Sequence, residues 1–180
     1  MTLGTFVAVV GPSGAGKDTL LERALAGRPD IVRARRVITR PPSPDTEDFV
    51  SVTEREFEGM AMAGQFALTW HAHKLSYGIP SSVRDSLQAG RHVVANLSRR
   101  VWPEAKTRFP GAILIWVTAP TEVLAERLAA RGREDVADIE ARLNRVTDAP
   151  PPEAVLIDNG GALEAAVAVL GAALPQPVRG

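Results

Sequence analysis

The chain has 180 residues, of which 45% are hydrophobic and 23% charged, a composition typical of a globular domain with a substantial core. Its 21 Lys and Arg residues balance 21 Asp and Glu residues, which argues against nucleic acid or an anionic membrane as the main partner, because both attract a basic excess. With no cysteine, the chain has no disulfide, thiolate zinc site or cysteine nucleophile. No apolar run approaches the ~20 residues that a bilayer requires, and no basic segment precedes the first apolar run, so we expect a cytoplasmic protein.

Apolar runs and segments of helical spacing alternate along most of the chain. The first run, at residues 6–10, is rich in valine and ends at Gly11, as expected of a strand buried on both faces. Strands that alternate with helices indicate an α/β domain with a doubly wound parallel sheet. The predicted strands are residues 6–10, 93–97, 112–117 and 154–157, and the predicted helices are residues 19–26, 121–131, 139–146 and 161–174.

Residues 36–90 interrupt this alternation. They include a proline-rich stretch at residues 41–44 and a helical segment at residues 53–64. We interpret them as a lobe inserted into a single domain, whose core is formed by residues 1–35 and 91–180.

The strongest motif follows the first predicted strand and precedes the first predicted helix. It has the pattern Gly-x-x-x-x-Gly-Lys of a P-loop, whose backbone N–H groups wrap a polyphosphate while Lys17 reaches the β- and γ-phosphate oxygens. The sequence therefore predicts ATP binding, with Lys17 as a catalytic residue. The expected nucleotide-binding residues are Gly11, Pro12, Ser13, Gly14, Ala15, Gly16, Lys17, Asp18 and Thr19, to which we add Asn159.

One position of the P-loop departs from the usual pattern. Asp18 stands where a serine or threonine normally binds Mg²⁺, and a carboxylate is also a hard oxygen ligand for this ion. We expect Asp18 to lie near Mg²⁺. In the alternative interpretation, Thr19 binds the metal and Asp18 only stabilises the start of the helix.

A second cluster consists of arginines around residues 127–145. Arg127 and Arg131 are four residues apart and share one face of a predicted helix, and Arg142 follows on the next helix. Converging guanidinium groups on a helical lid would hold a transferring phosphoryl group and exclude water. The alternative is a solvated helix face paired with nearby acidic residues, which the P-loop upstream makes less favourable.

The order of these motifs resembles that of guanylate kinases, within the P-loop kinases of nucleoside monophosphates. The resemblance covers residues 5–174 and implies that Arg40 and Tyr77 hold the acceptor phosphate, and that the three arginines belong to the lid. The carboxylates with which guanylate kinases bind guanine are replaced here by Leu68 and by the segment Asn96-Leu97-Ser98. Guanine is therefore not the expected acceptor, because losing such polar groups costs discrimination steeply.

Four segments resemble more closely the ribose 1,5-bisphosphate phosphokinases of phosphonate utilisation. They read Gly-Lys-Asp at residues 16–18, Ile-Thr-Arg-Pro at 38–41, Ala-His followed by Tyr-Gly-Ile-Pro at 72–80, and Asn-Leu-Ser-Arg at 96–99. This resemblance implies transfer of the γ-phosphoryl group of ATP to the 1-phosphate of ribose 1,5-bisphosphate, which gives 5-phosphoribosyl 1-diphosphate (PRPP).

A phosphate oxygen is already anionic at neutral pH, so this reaction requires no general base, only positioning and charge neutralisation. A bisphosphate needs two anion sites, of which Arg36, Arg40 and Tyr77 could supply one, and Arg99 with the lid arginines the other. His71 and His73 form a His-x-His pair, which would need at least one more ligand to make a metal site. We expect His73 to hydrogen-bond substrate or to be structural, with metal binding as a lesser alternative. We expect Trp70, Trp102 and Trp116 to be packing residues. The expected acceptor-binding residues are Arg36, Arg40, His73, Tyr77, Asn96, Ser98 and Arg99.

Two alternatives from other classes stay open. The chain could phosphorylate another small acceptor, such as a nucleoside monophosphate or a different sugar phosphate. It could also be a binding module without activity, against which the intact Lys17 argues. The oligomeric state is open as well, with a homodimer as one alternative.

Overall fold

A computed structural model describes residues 3–42, 48–130 and 149–178 of the chain. Helices and strands alternate along the chain, except that residues 31–51 hold three consecutive strands and residues 66–80 hold two. In chain order they are β1 (Phe6–Val10), α1 (Lys17–Leu25), β2 (Ile31–Arg33), β3 (Val37–Ile38), β4 (Val50–Ser51), α2 (Glu54–Met62), β5 (Phe66–Ala72), β6 (Leu75–Pro80), α3 (Val83–Gln88), β7 (His92–Asn96), a 3-10 turn (Arg99–Val101), α4 (Trp102–Arg108), β8 (Ile113–Thr118), α5 (Thr121–Ala130), β9 (Val155–Asp158) and α6 (Leu163–Ala173).

The described strands form two sheets. The larger has five strands in the order β2-β7-β1-β8-β9, and both β2 with β7 and β8 with β9 pair in parallel. Strand β1 is buried along its whole length, which explains its uninterrupted apolar sequence. This arrangement confirms the predicted α/β class and its parallel sheet.

The chain divides into two compact units, and the division falls inside β1 and β8. The first unit consists of Met1–Ala8, Arg28–Ile113 and Pro175–Gly180, and the second of Val9–Gly27 and Leu114–Leu174. The second unit contains α1, α5 and α6, which bury Leu20, Leu124 and Leu170 among other apolar side chains. No helix in the described residues is long and apolar enough to cross a membrane.

The first unit contains the smaller sheet, in the order β4-β3-β6-β5. Strand β6 pairs antiparallel with both β3 and β5, so that Tyr77 lies opposite Ile38 on one side and Trp70 on the other. The hairpin between β5 and β6 turns through His73 and Lys74, both with positive φ (51° and 61°), as a two-residue turn of type I′ requires.

The predicted elements with long apolar runs are confirmed. The strands predicted at residues 6–10, 93–97, 112–117 and 154–157 are β1, β7, β8 and β9, each within one residue at either end. The helices predicted at 19–26, 53–64, 121–131 and 161–174 correspond to α1, α2, α5 and α6. The helix predicted at 139–146 lies outside the described residues, and the inserted lobe at 36–90 stays a prediction.

Strand β7 also helps to hold the segment that follows α6. The buried His92 accepts a hydrogen bond at Nδ1 from the Thr5 N–H (2.9 Å), and its Nε2–H donates to the Gln176 carbonyl (2.8 Å). In the same segment, the Pro175 carbonyl accepts a hydrogen bond from Arg28. Arg28 in turn donates through Nε and Nη2 to the two carboxylate oxygens of Asp30 (2.9 and 2.7 Å).

The Arg28–Asp30 pair makes stability depend on pH in a defined direction. The hydrogen bonds from Arg28 lower the pKa of the Asp30 carboxyl below its ordinary value. Its contribution is therefore complete above the unfolded pKa of about 3.9 and is lost as the pH falls through the folded value.

We therefore expect Asp30→Asn to lower the free energy of unfolding at pH 7 by about 0.5–1 kcal/mol. The difference from the unmutated protein should shrink as the pH falls below about 4, in urea denaturation curves recorded from pH 7 to 3. Glu104→Gln, which breaks the more exposed Arg108–Glu104 pair of α4, is the matched control and should cost less. An Asp30→Asn difference that does not change with pH would contradict this account.

Candidate active site

The P-loop connects β1 to α1 and lies in the second unit. Gly16 precedes the first helical residue in a left-handed conformation (φ 81°), and a Cβ there would lie 2.5 Å from the Asn159 Nδ2. Both constraints require glycine at this position. The loop and the start of α1 together form the backbone arrangement that binds phosphate groups.

Lys17 is folded back onto this loop. Its Nζ donates to the Gly11 and Pro12 carbonyls, at 2.9 and 3.0 Å. Phosphate oxygens of a nucleotide would replace these two neutral acceptors with charged ones, and charge-assisted hydrogen bonds are the stronger kind. Lys17 is thus held at the loop by two backbone carbonyls.

Asn159 and Arg127 join the P-loop to the chain after β9. The Asn159 side chain is buried and donates through Nδ2 to the Ala15 carbonyl (2.8 Å), while its backbone N–H donates to the Thr118 carbonyl (2.8 Å). Arg127 on α5 donates to the Asn159 carbonyl (2.8 Å) and to the Gly14 carbonyl (3.4 Å). These two residues, both predicted from the sequence to belong to the site, are therefore brought to the P-loop.

Asp18 lies in the first turn of α1, and Thr19 follows it. A carboxylate is favourable there because the start of a helix carries partial positive charge. Among the described residues, no group of three or more His, Asp or Glu side chains could hold a metal ion by itself. The residues present fit Mg²⁺ in its usual nucleotide-bound form, held by one or two side chains together with phosphate oxygens and water.

In the first unit, the smaller sheet brings two arginines together with three aromatic rings on one face. The Arg36 guanidinium lies 5.3 Å from the Tyr77 ring centroid, and Arg40 lies 4.5 Å from that of Phe49. The Trp70 ring stacks on Tyr77 at 5.2 Å, with an interplanar angle of 5°. We name this set of five residues the arginine–aromatic face.

The arginine–aromatic face contains an unsatisfied donor. The Nε of Arg40 is buried and has no hydrogen-bond partner in the described part of the chain. A buried polar group of this kind is costly unless a ligand or water satisfies it. The face therefore has the composition of an anion site, with two cations and neither carboxylate nor carboxamide.

The motifs around this face have structural reasons. A Cβ at Gly78 would lie 2.4 Å from the Phe66 ring, so only glycine fits after Tyr77. The Oγ1 of Thr39 accepts a hydrogen bond from the Ser76 N–H (2.8 Å), which fastens the residue before Arg40 to β6. The pair Thr39-Arg40 directly follows β3 and is bonded to β6, the strand that contains Tyr77-Gly78.

The remaining predicted residues are dispersed. Asn96 ends β7, and Ser98 and Arg99 follow it directly, all three half-buried. His73 is exposed in the β5–β6 turn, and its role stays a prediction. Arg131 and Arg142, and most of the predicted lid at residues 127–145, lie outside the described residues.

The structure also identifies polar contacts that the sequence did not predict. The buried Ser76 hydroxyl lies 2.9 Å from Glu54 Oε2 and 3.0 Å from His71 Nδ1. His71 therefore contacts the Ser76 hydroxyl, which also contacts Glu54, within the first unit. This contact was not predicted from the sequence because β5 and β6 were not predicted as strands, and only the pairing of these strands places Ser76 opposite His71.

Comparison with known proteins places the chain in a family. The guanylate kinase family model matches residues 4–174. The chain is 49% identical over 171 residues to the ribose 1,5-bisphosphate phosphokinase PhnN of Acidiphilium cryptum, covering 93% of this chain and 91% of that protein. It is 46% identical over 163 residues to that of Brucella melitensis, with 88% and 85% covered.

A third kind of relative is longer. The bifunctional ribose 1,5-bisphosphokinase-thymidine phosphorylase of Cupriavidus necator is 47% identical over 168 residues, which cover 92% of this chain. The chain spans only 28% of the length of that protein, and 28% of its counterpart in Cupriavidus pinatubonensis.

Solved structures show the same fold at lower identity. A guanylate kinase from Anaplasma phagocytophilum superposes with a TM-score of 0.68 at 18% identity, over 95% of this chain and 84% of that one. A gluconokinase from Sinorhizobium meliloti superposes with a TM-score of 0.53 at 19% identity, over 96% and 91%. The family model and the curated relatives together show that the chain belongs to the guanylate kinase family and, within it, to the ribose 1,5-bisphosphate phosphokinases.

Proposed function

We propose that this protein transfers the γ-phosphoryl group of ATP to the 1-phosphate of ribose 1,5-bisphosphate, with ADP and PRPP as products. One observation carries the choice of acceptor: the arginine–aromatic face offers two guanidinium groups to a phosphate, and its five residues include no carboxylate, the group with which guanylate kinases bind guanine. The name that the relatives carry, at 46–49% identity, supports the same acceptor.

In the proposed reaction, an oxygen of the acceptor 1-phosphate attacks the γ-phosphorus of ATP. The new P–O bond forms as the bond between the γ-phosphorus and the β,γ-bridging oxygen breaks, and ADP leaves. Both reacting groups are anions, so the protein's task is to position them and to neutralise their charge. Mg²⁺, when bound with the nucleotide, would neutralise charge on its phosphate oxygens.

The residues take separate roles in this proposal. The P-loop backbone and Lys17 hold the β- and γ-phosphates, and Asn159 and Arg127 keep the loop in shape. Arg36, Arg40 and Tyr77 bind one phosphate of the acceptor. We assign the other acceptor phosphate to Arg99, with Asn96, Ser98 and His73 as further contacts, and the transferring phosphoryl group to the lid residues Arg127, Arg131 and Arg142.

A panel of acceptors tests the proposal. ADP release from ATP would be measured with ribose 1,5-bisphosphate, GMP, AMP and gluconate, each at several concentrations. We expect ribose 1,5-bisphosphate to give by far the highest kcat/KM. A higher kcat/KM with GMP would overturn the choice of acceptor, and no activity with any acceptor would favour a binding module.

Lys17→Ala should lower kcat by about 10²-fold or more, because Lys17 supplies charge to the transition state. Lys106→Ala, at an exposed position of α4, is the matched control and should leave kcat unchanged. Circular dichroism melting curves would show that both variants remain folded. Near-normal turnover by Lys17→Ala would show that the P-loop has no catalytic role.

Arg40→Ala should raise the KM for ribose 1,5-bisphosphate by about 10-fold or more, with the KM for ATP unchanged, because it removes a charged contact to one phosphate. Arg40→Lys should recover only part of the loss, since an ammonium cannot bind two phosphate oxygens as a planar fork. Arg108→Ala on α4 serves as the control. An effect of Arg40→Ala confined to the KM for ATP would contradict this assignment.

Asp18→Ser should raise the Mg²⁺ concentration needed for half-maximal rate by about 10-fold or more, if the carboxylate holds the metal or its water ligands. Thr19→Val tests the alternative, because it removes the neighbouring hydroxyl and keeps the volume. Rates would be measured against Mg²⁺ at saturating ATP. An unchanged requirement in Asp18→Ser, with a raised one in Thr19→Val, would assign the metal to Thr19.

A further inference from the structure

Trp70 differs from the other two tryptophans of the chain. Trp102 and Trp116 are buried, each with 6% of its surface exposed, as expected of packing residues. Trp70 is only half-buried and lies on β5, an edge strand of the smaller sheet. An indole that is partly exposed to water lacks part of the stabilisation that full burial would give. The exposed part of Trp70 is therefore available to contact a ligand.

The exposed indole is the apolar end of a row that crosses three strands of the sheet. Trp70 stacks on Tyr77, and the Arg36 guanidinium lies over the same Tyr77 ring. Arg40, with its unsatisfied Nε, belongs to the same face and rests on Phe49. One end of the row is therefore cationic and the other aromatic.

This row matches a small ligand that carries a phosphate on a saturated ring. The phosphate would be held by the guanidinium groups, and the C–H groups of the ring would lie on the indole, where they gain dispersion contacts and need no hydrogen bonds. A pentose phosphate has both parts within a few bonds of each other.

A nucleobase would find two obstacles here. The Trp70 and Tyr77 rings are nearly parallel and in direct contact, so a base cannot insert between them. Leu68, two residues before Trp70 on the same side of β5, is 1% exposed and offers no hydrogen bond to a base edge. The N–H groups of a base would find no acceptor at Leu68, and leaving them unpaired costs discrimination steeply.

We infer that Trp70 contacts the sugar ring of the acceptor and determines that a sugar phosphate is accepted in place of a nucleotide. This inference rests on the proposed function and adds a specificity-determining residue to it. It also revises the expectation from the sequence that all three tryptophans serve packing alone.

Binding can be followed directly by tryptophan fluorescence, without turnover. Ribose 5-phosphate, a stable pentose phosphate, should change the emission of the unmutated protein in a saturable way. Trp70→Phe should abolish most of that change, whereas Trp102→Phe should retain it, because Trp102 is buried. A change of the same size in Trp70→Phe would overturn the inference.

Kinetics provide the second readout. Trp70→Ala should raise the KM for ribose 1,5-bisphosphate by about 10-fold, as truncation of a well-packed aromatic contact commonly does, with the KM for ATP unchanged. The ratio of kcat/KM for ribose 1,5-bisphosphate to that for GMP should fall. Trp70→Phe should keep most of the affinity, and Thr69→Ala, on the opposite side of β5, is the matched control.

The outcomes separate this inference from the proposed function. If the unmutated protein does not phosphorylate ribose 1,5-bisphosphate, the proposed function fails, and the fluorescence titration still tests Trp70. If it does, and neither the acceptor KM nor the selectivity changes in Trp70→Ala, the inference fails alone. Should Trp70→Ala not fold, Trp70→Leu keeps the apolar bulk without the ring, and an unchanged acceptor KM in that variant would equally overturn it.

Discussion

The hydrogen bond from the Asn159 carboxamide to the Ala15 carbonyl is the contact on which the shape of the P-loop depends. It ties the P-loop to a residue 144 positions away, at the end of β9. Because both partners are buried, breaking it would leave a polar group unsatisfied, at a cost of about 1–3 kcal/mol. The same carboxamide lies so close to Gly16 that no side chain can replace the glycine. The shape of the P-loop, and the position of Lys17 at its end, therefore depend on the Asn159 side chain and on the Arg127 guanidinium that donates to the Asn159 carbonyl.

In the proposed reaction, the two units would bind anions by different means. In the second unit, the P-loop offers backbone N–H groups and a helix start, a site whose geometry depends little on which side chains line it. In the first unit, recognition rests on side chains, since Arg36 and Arg40 lie over aromatic rings. A guanidinium group that lies over an aromatic ring is held in orientation by that ring. This difference is the one expected of a kinase whose nucleotide is shared with many other kinases and whose acceptor is particular to its own family.

How much the sequence could predict depended on the length of each signal. The strands β1, β7, β8 and β9 were predictable because each coincides with a run of three to six consecutive apolar residues, which is a clear pattern for a strand. Strands β3 and β4 have two residues each, too few for any periodicity to appear. The P-loop was predictable because its glycines and lysine are required by backbone geometry. The role proposed for Trp70 was not predictable, because it depends on the stacking of Trp70 on Tyr77 and on Arg36 over the same ring. These contacts form only when the strands of the smaller sheet pair.

The central claim is that this chain makes a diphosphate from a sugar bisphosphate, and phosphorus NMR of the reaction mixture tests it most directly. With ATP, Mg²⁺ and ribose 1,5-bisphosphate, the account predicts that the acceptor 1-phosphate resonance disappears. The two coupled resonances of a sugar 1-diphosphate should replace it, in step with ADP formation and with the 5-phosphate unchanged. An unaltered acceptor spectrum, together with conversion of GMP to GDP in a parallel sample, would contradict the account.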